Sequence, residues 1–383
     1  MKIFLYTDLK IQPKALFWHR DLGLLTKAFR ALGHEAWLVV HPASESAPSP
    51  PPATRHDPVI WASPSDVRNP SWWQHHQPDL VILGLWTRPK YDPIRRAALS
   101  ATPHVAERAD SDGMRTASCG LRTYARRRYD YFRDRTFGWP AFLSILVSVL
   151  YSLASILATP WIEARLAVTL KLLPALIVET PKAMQLWKKL AAKLGANPKR
   201  IHCIPHPVQT DIFRPNPSVR KKDQIISVGR WDSYQKNFPL LLKTLLFFLS
   251  RNPGWTALIV GSGLPVHACH PRIRFSPPLQ PRILARSMQS SKIFLSSSRY
   301  ESFGLAEKEA EFCRCRVVRS DSFTSPLLSV QLQSDLLVTQ MIQYAKEGSS
   351  PLRSINSKQC APEAVARRFL QIFLGKEETS SAF

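Results

Sequence analysis

Acidic residues are in short supply in this chain of 383 residues: 28 aspartates and glutamates face 52 lysines and arginines, a formal net charge of +24 at pH 7. An imbalance of that size demands an anionic partner or surface. No helix-turn-helix, zinc-finger or RRM-type signature accompanies the charge, so nucleic acid is not the expected partner. Cysteine is also scarce, with 6 residues and no Cys-x-x-Cys spacing. This argues against a disulfide framework or a zinc ribbon, and a reducing compartment is expected. His267-Ala-Cys-His270 gathers ligand-type residues, but solvated loop residues are the commoner meaning of such a cluster. No secretory signal is expected at the amino terminus, because Asp8 interrupts its apolar start.

What is present is a strand and helix rhythm long enough for two α/β domains. Lys2 to Tyr6 reads as a strand, Leu22, Leu25, Phe29 and Leu32 form a helix face closed by Gly33, and Ala36 to Val40 is the next strand. Ala43 to Pro58, with Pro-Ser-Pro-Pro-Pro near its middle, is an extended loop. Leu80 to Leu83 and His104 to Glu107 read as buried strands, and the second runs into the acidic turn Ala109-Asp-Ser-Asp-Gly113.

The later half carries the chemistry. Ile225 to Val228 is a β-type run followed by Gly229-Arg230, a polar loop, and Lys236-Asn237 ahead of the apolar helix Phe238 to Leu249. A glycine at a strand end with two cations six residues apart suits a pair of phosphates: Arg offers a planar fork and Lys a mobile point charge. Thr256 to Val260 and Gly261-Ser-Gly263 repeat the strand and glycine turn. Ile293 to Leu295 is a further buried strand, leading into Ser298-Arg-Tyr-Glu-Ser-Phe-Gly-Leu-Ala-Glu-Lys-Glu309. Gly304 permits close backbone approach, and a helix starting near it points its free N–H groups at any bound diphosphate. Glu301 then faces a sugar, and Glu309, one turn into the helix, accepts from ribose hydroxyls. The competing reading is that Glu307, Glu309 and Glu311 are acids favoured by the helix dipole with no ligand at all.

In these motifs, in this order, the chain resembles the GT-B retaining glycosyltransferases, the large family with two glutamates eight residues apart. The resemblance is strongest from Leu176 to Val318. It includes Leu176-Ile-Val-Glu-Thr180 and Arg200-Ile-His-Cys-Ile-Pro-His-Pro-Val-Gln-Thr-Asp-Ile-Phe213, which look like the family's strand, helix, strand and interdomain hinge. It implies two Rossmann-like domains facing a cleft, at residues 1–207 and 208–355, with a helix and tail at 356–383. It further implies that Arg230 and Lys236 hold a donor diphosphate beside Gly229, that Glu301 and the amides of Phe303, Gly304 and Leu305 hold the sugar, and that Glu309 holds the ribose. No metal or other cofactor is implied. On the acceptor side the family has a His or Asp near the turn described above, which makes Asp112, ahead of Asp110, the catalytic candidate; an Asx turn closed by Gly113 is the plain alternative. Two departures stand out. Lys10 to His19 replaces the family's Gly-Gly loop, and Cys313-Arg-Cys-Arg316 replaces a glycine after the helix bearing the second glutamate.

A segment outside this pattern is equally distinctive. Arg115 to Arg135 holds seven arginines and two aspartates, interleaved with Tyr124, Tyr129, Tyr131 and Phe132; no charge then appears until Glu163. Residues 136–162 are apolar. Pro140 and Pro160 bracket a stretch that, as one helix, measures about 28 Å at 1.5 Å per residue, near the thickness of a bilayer core. A true span is disfavoured, because the strands before and after it must join one sheet. Ser144, Ser148, Ser152, Ser155 and Thr159 recur on one helical face, with Leu, Ile, Val and Tyr opposite. The expectation is an apolar element on the cytoplasmic leaflet, arginines at the headgroups; the alternative is a helix buried in the amino-terminal domain or a dimer.

The expected activity is transfer of a sugar from a nucleotide-diphosphate sugar to a glycan or lipid-linked acceptor, with retention, in cell-envelope or surface polysaccharide synthesis. The rivals are an inactive GT-B scaffold at the membrane and a basic nucleic-acid-binding protein.

Overall fold

The structure, a computed structural model, describes residues 1–8, 17–42, 58–85, 87–109, 125, 129, 132, 140–264, 270–299, 301, 303–320, 330–346 and 357–375. The chain divides into two compact units: Met1–Tyr124 with Ser152–Pro207 and Lys358–Phe383, and Ala125–Tyr151 with Val208–Ser357.

The first unit is built on seven parallel strands: β1 (Lys2–Thr7), β2 (Glu35–Val40), β3 (Val59–Trp61), β4 (Leu80–Gly84), β5 (Val105–Arg108), β6 (Ala175–Val178) and β7 (Ile201–Cys203). Their order is β3-β2-β1-β4-β5-β6-β7. β1 is apolar at successive positions because both sheet faces are covered. Ile3 and Leu5 enter one core with Phe29, Ile82 and Ile177, to which the Pro362–Leu374 helix adds Val365 and Phe369. Phe4 and Tyr6 enter the opposite core with Trp73, Leu83 and Ile94.

The second unit has five parallel strands: β8 (Lys222–Arg230), β9 (Thr256–Ser262), β10 (Ile273–Ser276), β11 (Ser291–Ser296) and β12 (Arg316–Arg319), in the order β10-β9-β8-β11-β12. Ile225, Ile259 and Leu295 from the sheet pack with Leu241 and Phe248 of the Phe238–Arg251 helix. The strand order reverses between β8 and β11, and ligands bind doubly wound sheets outside the carboxyl ends of the strands at such a reversal.

The apolar segment differs from a single bracketed helix. One helix covers Ala141–Leu157 and a second Thr159–Leu172, bent by 66° to each other. Pro160 sits in the first turn of the second helix, where its missing N–H costs nothing, so it starts a helix instead of ending one. Among the described residues no single helix is long and apolar enough to cross a membrane.

The orientation of the first helix is inverted relative to an ordinary surface helix. Ser148, Ser152 and Ser155 are buried, while Ile145, Leu146, Val149, Leu150 and Leu153 are about half exposed, Phe142 is 67% exposed and Leu157 83%. The hydroxyl seam therefore faces inward and the apolar stripe faces out.

Candidate active site

The loops that leave β8 and β11 are stitched together. β8 is buried at Ile225, Ile226 and Ser227 before it reaches Gly229-Arg230, and the ladder to β9 continues to the end, pairing Gly229 with Gly261 and Arg230 with Ser262. The backbones approach so closely here that a Cβ on Gly261, at φ +144, would lie 1.8 Å from the Gly229 carbonyl oxygen. That contact explains the glycine at position 261. The loop then turns back, with the Trp231 indole donating to the Val260 carbonyl at 3.0 Å and the Trp231 amide to that of Ser262 at 2.8 Å.

At the loop's end Asn237 adopts φ 52 and caps the Phe238–Arg251 helix. Asn tolerates the left-handed region better than most residues, and its side chain is used: Oδ1 accepts from Arg299 Nη2 at 3.0 Å. The Ser297 hydroxyl donates to the Lys236 carbonyl at 2.7 Å and the Arg299 amide to that of Gln235 at 2.8 Å. The Arg299 guanidinium also lies 4.3 Å from the centre of the Tyr234 ring.

This frame places Lys236 against Glu301. Their side chains form an ion pair, about four-fifths buried on each side. A Cβ on Gly229 would come 3.3 Å from Lys236 Cγ, so glycine there keeps room for the lysine. Arg230, exposed, ends the strand beside it. Gly304 takes φ +71 and caps the Leu305–Phe312 helix, as the sequence predicts, with Phe303 just before it half-buried.

Two of the three helix glutamates pair with the same arginine. Glu307 pairs with Arg319 at 2.5 Å, and Glu311 pairs with Arg319 at 2.6 Å and with Lys308 at 2.7 Å. Those two are structural ion pairs of the helix with the end of β12. Glu309 is buried.

The helix ends where the family's glycine is missing. Cys315 donates its amide to the Ala310 carbonyl at 2.9 Å, closing a Schellman-type turn, and Arg314 takes φ 60 in the left-handed position. Cys313 and Cys315 are buried, and burial pushes both thiols up, Cys315 to about 11, so neither is thiolate at neutral pH.

The first unit holds a charged cluster that the sequence reading does not contain. Arg108 at the end of β5, Glu179 after β6, His206 after β7 and Asp21 at the start of the Asp21–Ala31 helix converge. Arg108 Nη1 and His206 Nδ1 each lie 3.2 Å from Asp21 Oδ1, Arg108 Nη2 lies 2.9 Å from His206 Nδ1, and His206 Nε2 contacts Glu179. Desolvation alone would raise the Asp21 carboxyl; Arg108 and His206 instead hold it well below its usual range. Burial and Arg108 push the imidazole down, but Asp21 and Glu179 more than reverse this and raise it. The signal was present as a titratable residue at or just past the carboxyl end of each of three successive strands: Arg108, Glu179 and His206.

Asp110 and Asp112, the acceptor-side candidates, lie outside the described residues, as do His267, Cys269 and most of the arginine-rich segment. Among the described residues no group of three His, Cys, Asp or Glu is arranged to hold a metal ion.

Residues 222–343 match the family described as Glycosyl transferases group 1. The D-inositol 3-phosphate glycosyltransferase of Acidothermus cellulolyticus is 28% identical over 158 residues, 34% of this chain and 35% of that protein, so the match spans about a third of the relative's length. Anabaena HepE, solved with UDP-glucose, superposes with a TM-score of 0.60 at 15% identity over 98% of this chain and 100% of that one. Sucrose-phosphate synthase from Thermosynechococcus elongatus gives 0.59 at 15% identity, covering 98% of each chain. At such identity these likenesses show a shared fold.

Proposed function

We propose, from the premise that this chain has the two-domain Rossmann-like GT-B fold and that its residues 222–343 belong to the glycosyl transferases group 1 family, that it transfers a sugar from a nucleotide-diphosphate donor with retention of configuration. The observation that carries this reading is the Lys236–Glu301 pair beside Gly229 and Arg230 at the reversal of the second sheet.

Each group has a use there. Without donor, Lys236 and Glu301 neutralise each other. An arriving diphosphate competes for Lys236 and recruits Arg230, which releases the Glu301 carboxylate toward the sugar hydroxyls. The amides at Phe303, Gly304 and Leu305 open a helix whose positive end favours the leaving diphosphate. Stabilising that departing charge is the main catalytic contribution of Arg230 and Lys236. Glu309 binds the ribose. On the acceptor side Asp112 is the residue assigned to the reacting hydroxyl.

The acceptor is a glycan or lipid-linked molecule used in envelope or surface polysaccharide synthesis, and the enzyme works at the cytoplasmic face of an anionic membrane. Support for that placement comes from the Ala141–Leu157 helix, which buries serines and exposes leucines. In water this inversion is costly, since each half-exposed leucine forgoes about half of the roughly 1.5–3 kcal/mol that full burial is worth; against acyl chains it is favourable. Trp161 is 62% exposed at the start of the next helix with Arg165 stacked at 4.9 Å, a pairing suited to the headgroup layer. The surplus of 52 basic over 28 acidic residues supplies the attraction to anionic lipid.

Donor hydrolysis and transfer by the purified chain, followed by proton NMR of the anomeric centre, test the reading. An inverted product sinks the retaining assignment. Full transfer by Arg230→Ala or Lys236→Ala sinks the phosphate assignment.

A further inference from the structure

The charged cluster of the first unit has no part in the donor chemistry. Arg108 ends β5, Glu179 and His206 follow β6 and β7, and Asp21 opens the helix after β1, so the cluster lies on the carboxyl edge of one parallel sheet and wholly within that unit. Ligands of such sheets bind outside that edge. Arg108, Glu179 and His206 are about nine-tenths buried, and the Arg108 guanidinium lies 6.0 Å from the centre of the Phe369 ring. Asp21 alone reaches outward, its side chain 43% exposed.

Two buried atoms of the cluster are left unsatisfied. Glu179 Oε2 and Arg108 Nη1 make no hydrogen bond among the described residues, and the 3.2 Å approach of Arg108 Nη1 to Asp21 is an ion contact without hydrogen-bond geometry. Buried polar atoms of that kind are few in folded proteins, and each calls for a partner. Asp21 points the same way. Arg108 and His206 both meet it through Oδ1, which leaves Oδ2 of an exposed carboxylate for a donor from outside. Its backbone is held at φ 40, in the sparsely populated region where functional residues gather.

The chemistry of the unsatisfied atoms selects the ligand. An ionised carboxylate only accepts and a guanidinium only donates, whereas a hydroxyl does both. A cation cannot accept from Arg108. An anion gains nothing either: two carboxylates face one guanidinium and one imidazole, so the cluster is neutral with His206 protonated and negative without, and the carboxylate of Asp21 stands at the rim.

We propose that Asp21, Glu179 and Arg108 hold hydroxyls of a neutral sugar, the terminal residue of the acceptor, with His206 as the positioning residue between the two carboxylates. The inference rests on the transferase reading given above and adds a substrate class to it: an acceptor whose end is an uncharged polyol, not a phosphorylated one.

The test uses the full chain with glucose, galactose, mannose, N-acetylglucosamine and myo-inositol as probes, each beside its monophosphate. Sugar binding is read from the slowing of amide hydrogen exchange at residues 21–24, titrated to a Kd, and nucleotide binding from calorimetry with UDP, GDP and ADP. At least one neutral probe should protect that turn, and its monophosphate should bind about tenfold more weakly through repulsion by Asp21. Asp21→Asn keeps an oxygen for Arg108 and His206 but removes the charge, and should weaken the sugar by about tenfold, the size of a hydrogen bond to a charged group. Glu179→Gln should do the same, and neither should move the nucleotide Kd. In transfer assays the loss should fall on the acceptor KM with kcat kept, as for a contact equal in ground and transition states. Protection by no neutral probe, tighter binding of a monophosphate, or a parental sugar Kd in Asp21→Asn overturns the proposal, and the cluster is then an ion network completed by water. The first two results are read on the parent chain, so they stand even if a variant does not fold. Sugar protection with no nucleotide bound upholds this site and sinks the transferase reading; nucleotide binding without sugar protection does the reverse.

Discussion

Arg314 is the residue whose replacement has the most calculable outcome. It occupies the left-handed position, φ 60, of the turn that ends the Leu305–Phe312 helix. The residue is exposed, so removing the side chain forfeits little packing. A non-glycine residue in that region costs about 1–2 kcal/mol. Glycine relieves this but gives back about 0.4–1 kcal/mol through the larger entropy of the unfolded chain. Arg314→Gly should therefore gain about 1 kcal/mol, and a unit of this size shifts in Tm by about 2–4 °C per kcal/mol. Arg314→Ala keeps the Cβ clash and removes the same charge, so it serves as the control and should not gain. The assay is calorimetric or fluorescence-monitored unfolding of the three proteins at one pH and salt. An Arg314→Gly protein no more stable than Arg314→Ala would refute the strain argument. Nucleotide affinity should be equal in all three, because the turn lies at the far end of the helix from Gly304.

Further outcomes follow from the two clusters and the backbone. Gly261→Ala should destabilise the second unit by about 3 kcal/mol or more, since its Cβ would lie 1.8 Å from a carbonyl oxygen at φ +144; urea unfolding checks this. Lys236→Ala should weaken nucleotide binding by about 10- to 100-fold, the loss of one charged contact worth about 1.5–3 kcal/mol. It should also lower Tm by leaving Glu301 unpaired, with recovery in the Lys236→Ala/Glu301→Gln double variant. His206 titrates above its usual value because Asp21 and Glu179 outweigh burial and Arg108. Its pairing thus stabilises fully below the unfolded value near pH 6.5 and is lost as pH rises through the raised folded value. A Tm profile across that window should flatten in His206→Gln.

Local features of the candidate site were legible because they are written in consecutive residues. A strand that ends in Gly229-Arg230, and a loop that ends at Gly304 ahead of a helix, are both set by short-range conformational needs. The partnership of Lys236 with Glu301 was not legible, since it depends on parallel strands bringing together residues 65 apart. The Asp21 and His206 contact, 185 residues apart, is hidden for the same reason. In the apolar segment the serine periodicity was readable, but periodicity defines two faces without saying which is inside. Here the outcome is opposite to the usual one: the serines are buried. The break at Ala158 escaped because Pro160 reads equally as a stop or as the first turn of a new helix, and the structure uses it as the latter.

The reading of Arg230, Lys236, Glu301 and Glu309 as one nucleotide-sugar site stands or falls on binding. Calorimetric titration of the purified chain with UDP-, GDP- and ADP-sugars, repeated with Glu309→Ala, decides it. Saturable binding of one nucleotide class is expected, weakened in the variant through loss of the ribose contact. Absence of binding by all three classes, or an unchanged Kd in Glu309→Ala, would contradict the assignment.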